Sequence, residues 1–452
     1  MRKRLWKGTL LITLLCAVQL AAATARIPRL EFSDQKLDNG LRVIIAPDHS
    51  APVFSIAVTY NVGSRNERPG RTGFAHLFEH MMFQGSENVG KGEHFILIFN
   101  NGGGMNGTTN EDRTNYFETL PKNQLDLALF LESDRMRSLV VNQTNLDNQR
   151  NAVQEERRLG IDNQPYGKAY VDIDNISYDN FAYKHSTIGS MRDLDAATVE
   201  DVRDFFRMYY APNNAVLSLV GDVDPRETLE KVRKYFGSIP SQPPPPKVDL
   251  TEPEHYGERR ETIYDPLARL PQIIMSYHIP PGNTEGNYAM QVLGNILGTG
   301  ESSRLYQHLI KEKQLATSVE VQVDARIGPS MFYIVAMPRP GVKPEDLEKG
   351  IYDEIEAVKK EGVTDREMEK ARTQFLRQQI QARQSSMTTA QRFGVYAVYF
   401  NDPDLVNTLY DKLSAVTGKQ VAEAAAKYAI AKERCVITTL PAGQAGKSAS
   451  GR

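Results

Sequence analysis

The run His76-Leu77-Phe78-Glu79-His80 carries the most legible chemistry in this chain. Two histidines four positions apart on a helix project from one face about one turn apart, so both imidazoles can reach a single metal ion. Glu79, next to the second histidine, places a carboxylate where it can take a proton from water held at that metal. The order H-x-x-E-H inverts the commoner zincin order H-E-x-x-H, and both suit a zinc hydrolase. A chain of this length shows the motif by chance roughly once in a hundred. As a purely structural feature, two imidazoles and a carboxylate among Leu77, Phe78 and Met81 would need a separate partner for every polar atom.

A catalytic zinc takes three protein ligands plus water. The third is sought in Asn151-Ala152-Val153-Gln154-Glu155-Glu156-Arg157-Arg158, inside a proline-free stretch of good helix formers from Asn145 to about Asp162. Glu155 and Glu156 point about 100° apart on such a helix, so only one can face the metal. Taken alone, a Glu-Glu-Arg-Arg run more often marks a solvated helix face. Ahead of this stretch, the glycine-rich run Asn101 to Asn110 reads as a loop entering a strand, and Thr114 to Leu120 as a second strand. No GKS or GKT follows, which excludes a phosphate loop.

On these residues the chain resembles the pitrilysin/insulinase family of inverzincin metallopeptidases. The likeness is to its small-subunit branch, with the mitochondrial processing peptidase beta subunit and bacterial exported zinc peptidases, and runs from about Phe32 to Leu440. Gly73 to Phe83 corresponds to the family's metal helix and Asn151-Ala152-Val153-x-x-Glu156 to its third-ligand helix. The resemblance implies that His76, His80 and Glu156 bind one Zn2+ per chain, Glu156 being preferred to Glu155 because it stands three residues after the Val and 76 beyond His80. It further implies that Glu79 acts as general base and then proton donor. Asn106, Gly107 and Thr108 would form an edge strand that pairs with the substrate backbone. One departure is Gln149, where the family commonly has an acidic residue two helical turns before the third ligand, so help from that position would be a neutral hydrogen bond.

A second departure lies in Ser302 to Thr317. In self-sufficient family members the matching segment supplies an arginine and a tyrosine, seven apart, that hold the substrate at the zinc. Ile310 and Thr317 stand at those positions here, while Arg304 and Tyr306 are two apart and earlier, suited to helix packing and ion pairs. The resemblance therefore implies a homologous partner subunit that supplies the Arg/Tyr pair, in a heterodimer enclosing a chamber. A homodimer using Arg304 and Tyr306 is the competing arrangement.

These residues must be positioned by a chain too long for one ordinary domain. Apolar runs at Leu41–Ala46, Val53–Tyr60, Ala215–Gly221, Gln272–Ile279 and Met331–Met337 mix with helical stretches at Leu125–Arg137, Val199–Tyr209, Pro344–Lys360 and Asp365–Arg383. The pattern predicts an α+β protein of two mixed α/β sandwich domains. The resemblance adds that the halves are similar, of the metalloendopeptidase LuxS/processing-peptidase type, with the second lacking the metal site. We divide the chain into a zinc-binding domain at 27–240, a proline-rich linker at 241–250, an inactive homologous domain at 251–441 and a disordered tail at 442–452.

Arg2, Lys3, Arg4 and Lys7 precede an apolar stretch from Leu10 to Ala23 and a cluster of alanines, so residues 1–25 read as a secretory signal and the mature protein as exported, in the periplasm. The apolar run is short for a stable membrane span. Removing it takes away four basic and no acidic residues and moves the formal charge from −2 to −6. No basic stripe or aromatic-basic platform is present, which argues against nucleic acid. Cys435 would remain alone, so no intrachain disulfide forms. The six other histidines lack ligand spacing and are expected to be mostly surface or structural. Two functional classes follow: an exported zinc endopeptidase acting on peptides or unfolded segments, and a non-catalytic scaffold subunit. Scaffold relatives have usually lost the ligand residues that this chain retains.

Overall fold

In the computed structural model, which describes residues 27–254 and 257–444, the apolar runs become eleven strands in two sheets. The first half holds β1 (Ser33–Lys36), β2 (Arg42–Pro47), β3 (Val53–Tyr60), β4 (Gly104–Thr109), β5 (Thr114–Pro121) and β6 (Ala215–Gly221). The second holds β7 (Arg259–Asp265), β8 (Gln272–Ile279), β9 (Ala316–Asp324), β10 (Ser330–Pro338) and β11 (Cys435–Pro441). Sheet one runs β1-β2-β6-β3-β5-β4 and sheet two β7-β11-β8-β10-β9. Setting β1 aside, the two orders are the same. In each, one parallel pair (β2 with β6, β7 with β11) is followed by antiparallel neighbours. The expected pair of similar mixed α/β halves is what the chain forms. Helix Glu285–Gly298, which follows β8 as the metal-bearing helix follows β3, contains no histidine.

Each sheet is covered on both faces, and the coverings cross between the halves. Alternate residues of sheet one, among them Val43, Ile45, Ile56 and Val58, face the helices of the first half. The intervening Ile44, Ala46, Ala57 and Val220 pack on Ala390, Phe393 and Ala397 of helix Ser386–Phe400 from the second half. Gly394 permits that approach, because a Cβ there would lie 2.2 Å from Thr59 Oγ1. Reciprocally, Ala169 and Ile173 of helix Gly167–Ser177, from the first half, cover Ile263, Ile274 and Ile437 of sheet two. Arg326 joins the halves too. It bonds Asp324 (2.7 Å) and Asp174 (3.0 Å), with the rings of Tyr178 and Tyr183 each 5.1 Å from its guanidinium.

Several boundaries differ from the sequence reading. The third-ligand helix is α-helical only over Gln143–Arg157, and Arg158–Asp162 widen into a π-helical turn. The segment Tyr306–Glu312 is π-helical as well, and Thr317 lies on β9 rather than on that helix. The proline-rich linker has no regular structure, yet its far end is pinned to the first half. Asn180 Nδ2 donates to the carbonyls of Asp249 and Thr251, and Glu252 accepts from the N–H groups of Asp179 and Asn180. Of the expected tail, Ala442–Gln444 form a short 3-10 turn, and its remainder lies outside the described residues, as do residues 1–25, expected to be a secretory signal. Among the described residues no helix is long and apolar enough to cross a membrane.

Candidate active site

The candidate motif lies on α1 (Phe74–Met81), whose three faces have three different tasks. Leu77 and Met81 are buried in the core beneath sheet one. Phe78 packs against Phe206 and Tyr210, with ring centroids 5.8 and 4.1 Å away. His76 and His80 form the third face, their rings 4.8 Å apart and inclined at 78°. No side chain at the N-cap Gly73 closes the first turn. Instead the buried carboxylate of Glu67 accepts from the backbone N–H groups of Gly73 and Ala75, both at 2.8 Å, and so satisfies two otherwise orphaned donors. His185 Nε2 lies 2.9 Å from the same carboxylate, which gives that histidine a structural task.

After α2 (Glu93–Asn100) and α3 (Leu125–Ser138), α4 (Gln143–Arg157) runs against α1. Leu146, Gln149, Val153 and Glu156 share one face at helical spacing, the first three of them buried. That face brings Glu156 Oε1 to 3.6 Å from His76 Nε2 and Glu156 Oε2 to 3.3 Å from His80 Nε2. Glu155 points away and pairs with Arg158 at 3.1 Å. Gln149 hydrogen-bonds the His80 ring.

Donor atoms at about 2.0–2.2 Å around a tetrahedral zinc stand roughly 3.3–3.6 Å from one another. The two separations above match that spacing, and one donor atom from each of the three residues lies within 4.8 Å of the others. The residues therefore fit a zinc ion. Without one, burial and the neighbouring His80 lower the pKa of His76. Burial opposes charge on His80 as well, but the hydrogen bond and charge of Glu156, with Glu79 and Gln149, outweigh it and raise that pKa. The hydrogen bond from His80 in turn lowers the pKa of Glu156.

Glu79 is 9% exposed, and burial raises its pKa. Its Oε2 accepts from Thr109 Oγ1 at 2.5 Å. Asn106, Gly107 and Thr108 lie on β4, the edge of sheet one, paired to β5 on one side only. Gly107 passes directly beside the carboxylate, and a Cβ there would lie 3.0 Å from Glu79 Cγ and 3.2 Å from Oε1. Sequence reasoning missed Glu67, Thr109 and Arg113, whose Nη1 donates to the Thr108 carbonyl at 2.5 Å. Thr109 reaches Glu79 across 30 positions, while Glu67 and Arg113 act within six to eight and five residues through turns whose geometry no periodic spacing marks.

Among the other histidines, His94 stands in a second cluster of possible ligands. It meets Glu118 and Glu132 from two other elements, with one donor atom of each residue within 4.8 Å of the others, although nothing in its local spacing suggests a ligand. This second group already holds a cation. Arg135 makes two hydrogen bonds to Glu132 and lies 4.5 Å over the ring of Tyr116. Burial pushes the Glu118 carboxyl up to about 8 and the His94 imidazole down to about 3, so at neutral pH both are uncharged beside a paired guanidinium and carboxylate. A divalent ion would add unbalanced charge to a dry core, and we read the group as structural.

Ile310 packs against the core of sheet two, and Thr317 Oγ1 donates to the Met337 carbonyl. Arg304 is held by Glu367 (2.5 and 2.8 Å) and the Gly362 carbonyl (3.0 Å). Tyr306 lies under Lys311.

Comparison with known proteins agrees with this geometry. Residues 42–184 match the insulinase (peptidase family M16) profile, and residues 196–375 the profile of the peptidase M16 inactive domain. The zinc protease PqqE of Helicobacter pylori is 32% identical over 365 residues, covering 80% of this chain and 82% of that protein. An uncharacterised zinc protease of Streptomyces coelicolor is 25% identical over 392 residues, 85% of this chain and 84% of that one. Among solved structures, a protease from Helicobacter pylori superposes with a TM-score of 0.88 at 29% identity, covering 92% of this chain and 100% of that chain. The first half of the periplasmic protease PqqL from Escherichia coli shares the fold, with a TM-score of 0.75 at 19% identity over 94% of this chain and 95% of that one.

Proposed function

This chain belongs to the insulinase family of zinc peptidases, peptidase family M16, and from that premise we propose that it is a catalytically competent zinc endopeptidase rather than a scaffold. One observation carries the reading. The Glu156 carboxylate of α4 meets both imidazoles of α1 at 3.6 and 3.3 Å, with the buried Glu79 carboxylate on α1 beside them. A scaffold has no need to keep four ionisable groups in that arrangement.

His76, His80 and Glu156 would hold one zinc ion. When bound, that ion supplies Lewis acidity to the scissile carbonyl and lowers the pKa of a water molecule toward neutrality. Glu79 takes the proton from the attacking water and returns it to the leaving amine, a role that contributes typically about 10²–10⁴-fold. β4 offers its open edge to an extended peptide, with Asn106, Gly107 and Thr108 as the segment nearest the base. Backbone pairing of this kind tolerates varied side chains, which suits peptides and unfolded segments as substrates.

The test is Glu79→Gln. Zinc content should stay at one per chain while peptide cleavage falls by about 10²–10⁴-fold. A Glu79→Gln protein that cleaves at a substantial fraction of the normal rate would remove Glu79 from this role. Chelation should abolish activity and added zinc restore it.

We propose in addition that the chain is exported, a reading supported by the pattern of residues 1–25, and that it works with a homologous partner. Ile310 and Thr317 provide no arginine or tyrosine, and Arg304, the local alternative, is committed to Glu367. Donors to the developing oxyanion are typically worth about a hundred- to a thousandfold. The isolated chain should therefore bind zinc and cleave slowly, and mixing it with a homologue that carries the pair but lacks H-x-x-E-H should restore the rate. Full activity of the purified chain, unchanged by such a partner, would refute the pairing.

A further inference from the structure

We propose that Thr109 is a positioning residue for Glu79, which makes the substrate-pairing edge strand and the catalytic base one mechanical unit. The inference rests on the peptidase reading above. Thr109 stands on β4, one residue beyond the segment assigned to the substrate, and its Oγ1 donates to Glu79 Oε2 at 2.5 Å. That distance belongs to a charge-assisted bond to a carboxylate. With Oε2 engaged, Oε1 is the atom left to take and return the proton. Gly107 of the same strand passes beside Oε1, where a side chain would crowd the carboxylate. Substrate pairing along β4 and orientation of the base are thus set by adjacent residues of one strand.

The strand end is itself anchored from both halves of the molecule. Thr109 pairs with Thr114 on β5, and Thr114 Oγ1 donates to the Val62 carbonyl at 2.9 Å. Arg113 Nη1 donates to both the carbonyl and the hydroxyl of Thr108. In the turn between β4 and β5, Asn110 Oδ1 accepts from the N–H groups of Asp112 and Arg113, and the Asn110 amide bonds the hydroxyl of Tyr399 on helix Ser386–Phe400. The buried Asp112 carboxylate accepts from Arg65, from Tyr183 and from the backbone N–H of Ile327 in the second half. The half without metal ligands thereby grips the turn whose first strand holds the base. This assigns it a part in catalysis without a catalytic residue.

The experiment compares Thr109→Val, which keeps shape and removes the hydroxyl, with Thr109→Ser, which keeps the hydroxyl. Each is made in the full zinc-loaded chain, with its partner subunit if one is required, and assayed on an internally quenched decapeptide. Thr109→Val should retain zinc and KM and lose about ten- to a hundredfold in kcat, the range seen when an outer-shell hydrogen bond is removed. Thr109→Ser should recover most of that loss. Equal losses in both variants would mean that packing and not the hydroxyl matters. A raised KM at unchanged kcat would make Thr109 a substrate contact, and kcat within twofold of wild type in Thr109→Val would end the proposal. A double-mutant cycle of Thr109→Val with Glu79→Ala, read in unfolding midpoints, tests the bond without any turnover. Non-additivity is expected and strict additivity would overturn the link. Absence of activity in the wild type with non-additive midpoints would instead refute the peptidase reading alone.

Discussion

Glu118→Gln should remove a pH dependence that the wild-type fold carries in its core. Glu118 is fully buried on β5, with His94 Nε2 3.3 Å from its Oε2 and its Oε1 without a partner. Burial pushes its pKa to about 8 from an ordinary 4.5, against the opposing charge of Arg135. The folded protein therefore holds this proton more tightly than the unfolded chain does. That contribution to stability is fully present below pH 4.5, declines as pH rises, and is lost above about pH 8. At about 1.4 kcal/mol per pH unit the ceiling is about 5 kcal/mol, of which about 3 kcal/mol falls between pH 6 and 9. Glutamine is neutral at every pH and close to isosteric with the protonated acid. In urea unfolding at pH 6, 7.5 and 9, Glu118→Gln should lead the wild type by about 2 kcal/mol at pH 6, and that lead should widen by about 3 kcal/mol, to about 5 kcal/mol, by pH 9. His94, pushed down to about 3, contributes stability that is present above pH 6.5 and is lost progressively as pH falls from there through about 3; both proteins carry it, so it cancels between them. Parallel curves for the two proteins would show that Glu118 is ionised in the native state, and the neutral-cluster reading would fall. The structural assignment of His94, Glu118 and Glu132 would fall with it.

Glu156→Gln should weaken zinc binding by more than about a hundredfold while Glu155→Gln keeps it, because only Glu156 faces the histidines; metal content after dialysis decides, and the reverse result would transfer the ligand role. At Gly107, alanine asks Glu79 to give only a few tenths of an ångström and should cost less than about tenfold in kcat, whereas Gly107→Val should cost about a hundredfold at unchanged zinc content. Equal activity in the two Gly107 variants would show that β4 does not crowd the base. Glu67→Gln weakens the cap of α1 and its pairing with His185; a loss of stability of about 1 kcal/mol in thermal unfolding is expected, and an unchanged midpoint would exclude the capping role.

Most of the site was legible because it is local. His76, Glu79 and His80 occupy one helix, and their spacing alone places two ligands and a carboxylate together. Glu156 needed more, since the 100° step between it and Glu155 shows only that one carboxylate faces the metal. The family resemblance chose between them, and the buried stripe Leu146, Gln149, Val153 shows the physical reason. Strands β3, β6 and β8 and helices Val199–Tyr209 and Asp365–Arg383 match the residues read from apolar patterning, because each strand is a buried run and each helix an amphipathic stretch opened by a threonine capping box. The π-helical turns at Arg158–Asp162 and Tyr306–Glu312 left no such mark, since a single widened turn is too short to shift the period that patterning reads.

By itself, then, the sequence determined most of the elements, the candidate metal helix and the side chains that helix presents, all of which follow from periodicity and side-chain type within a few turns. Tertiary structure alone decided what surrounds them. It set helix Ser386–Phe400 on sheet one and Gly167–Ser177 on sheet two, brought Thr109 to Glu79 across 30 positions, and gathered His94, Glu118, Glu132 and Arg135 into one buried group. Such contacts arise from closure of long loops, whose partners are chosen by the complementarity of whole surfaces and leave no periodic signal in the chain.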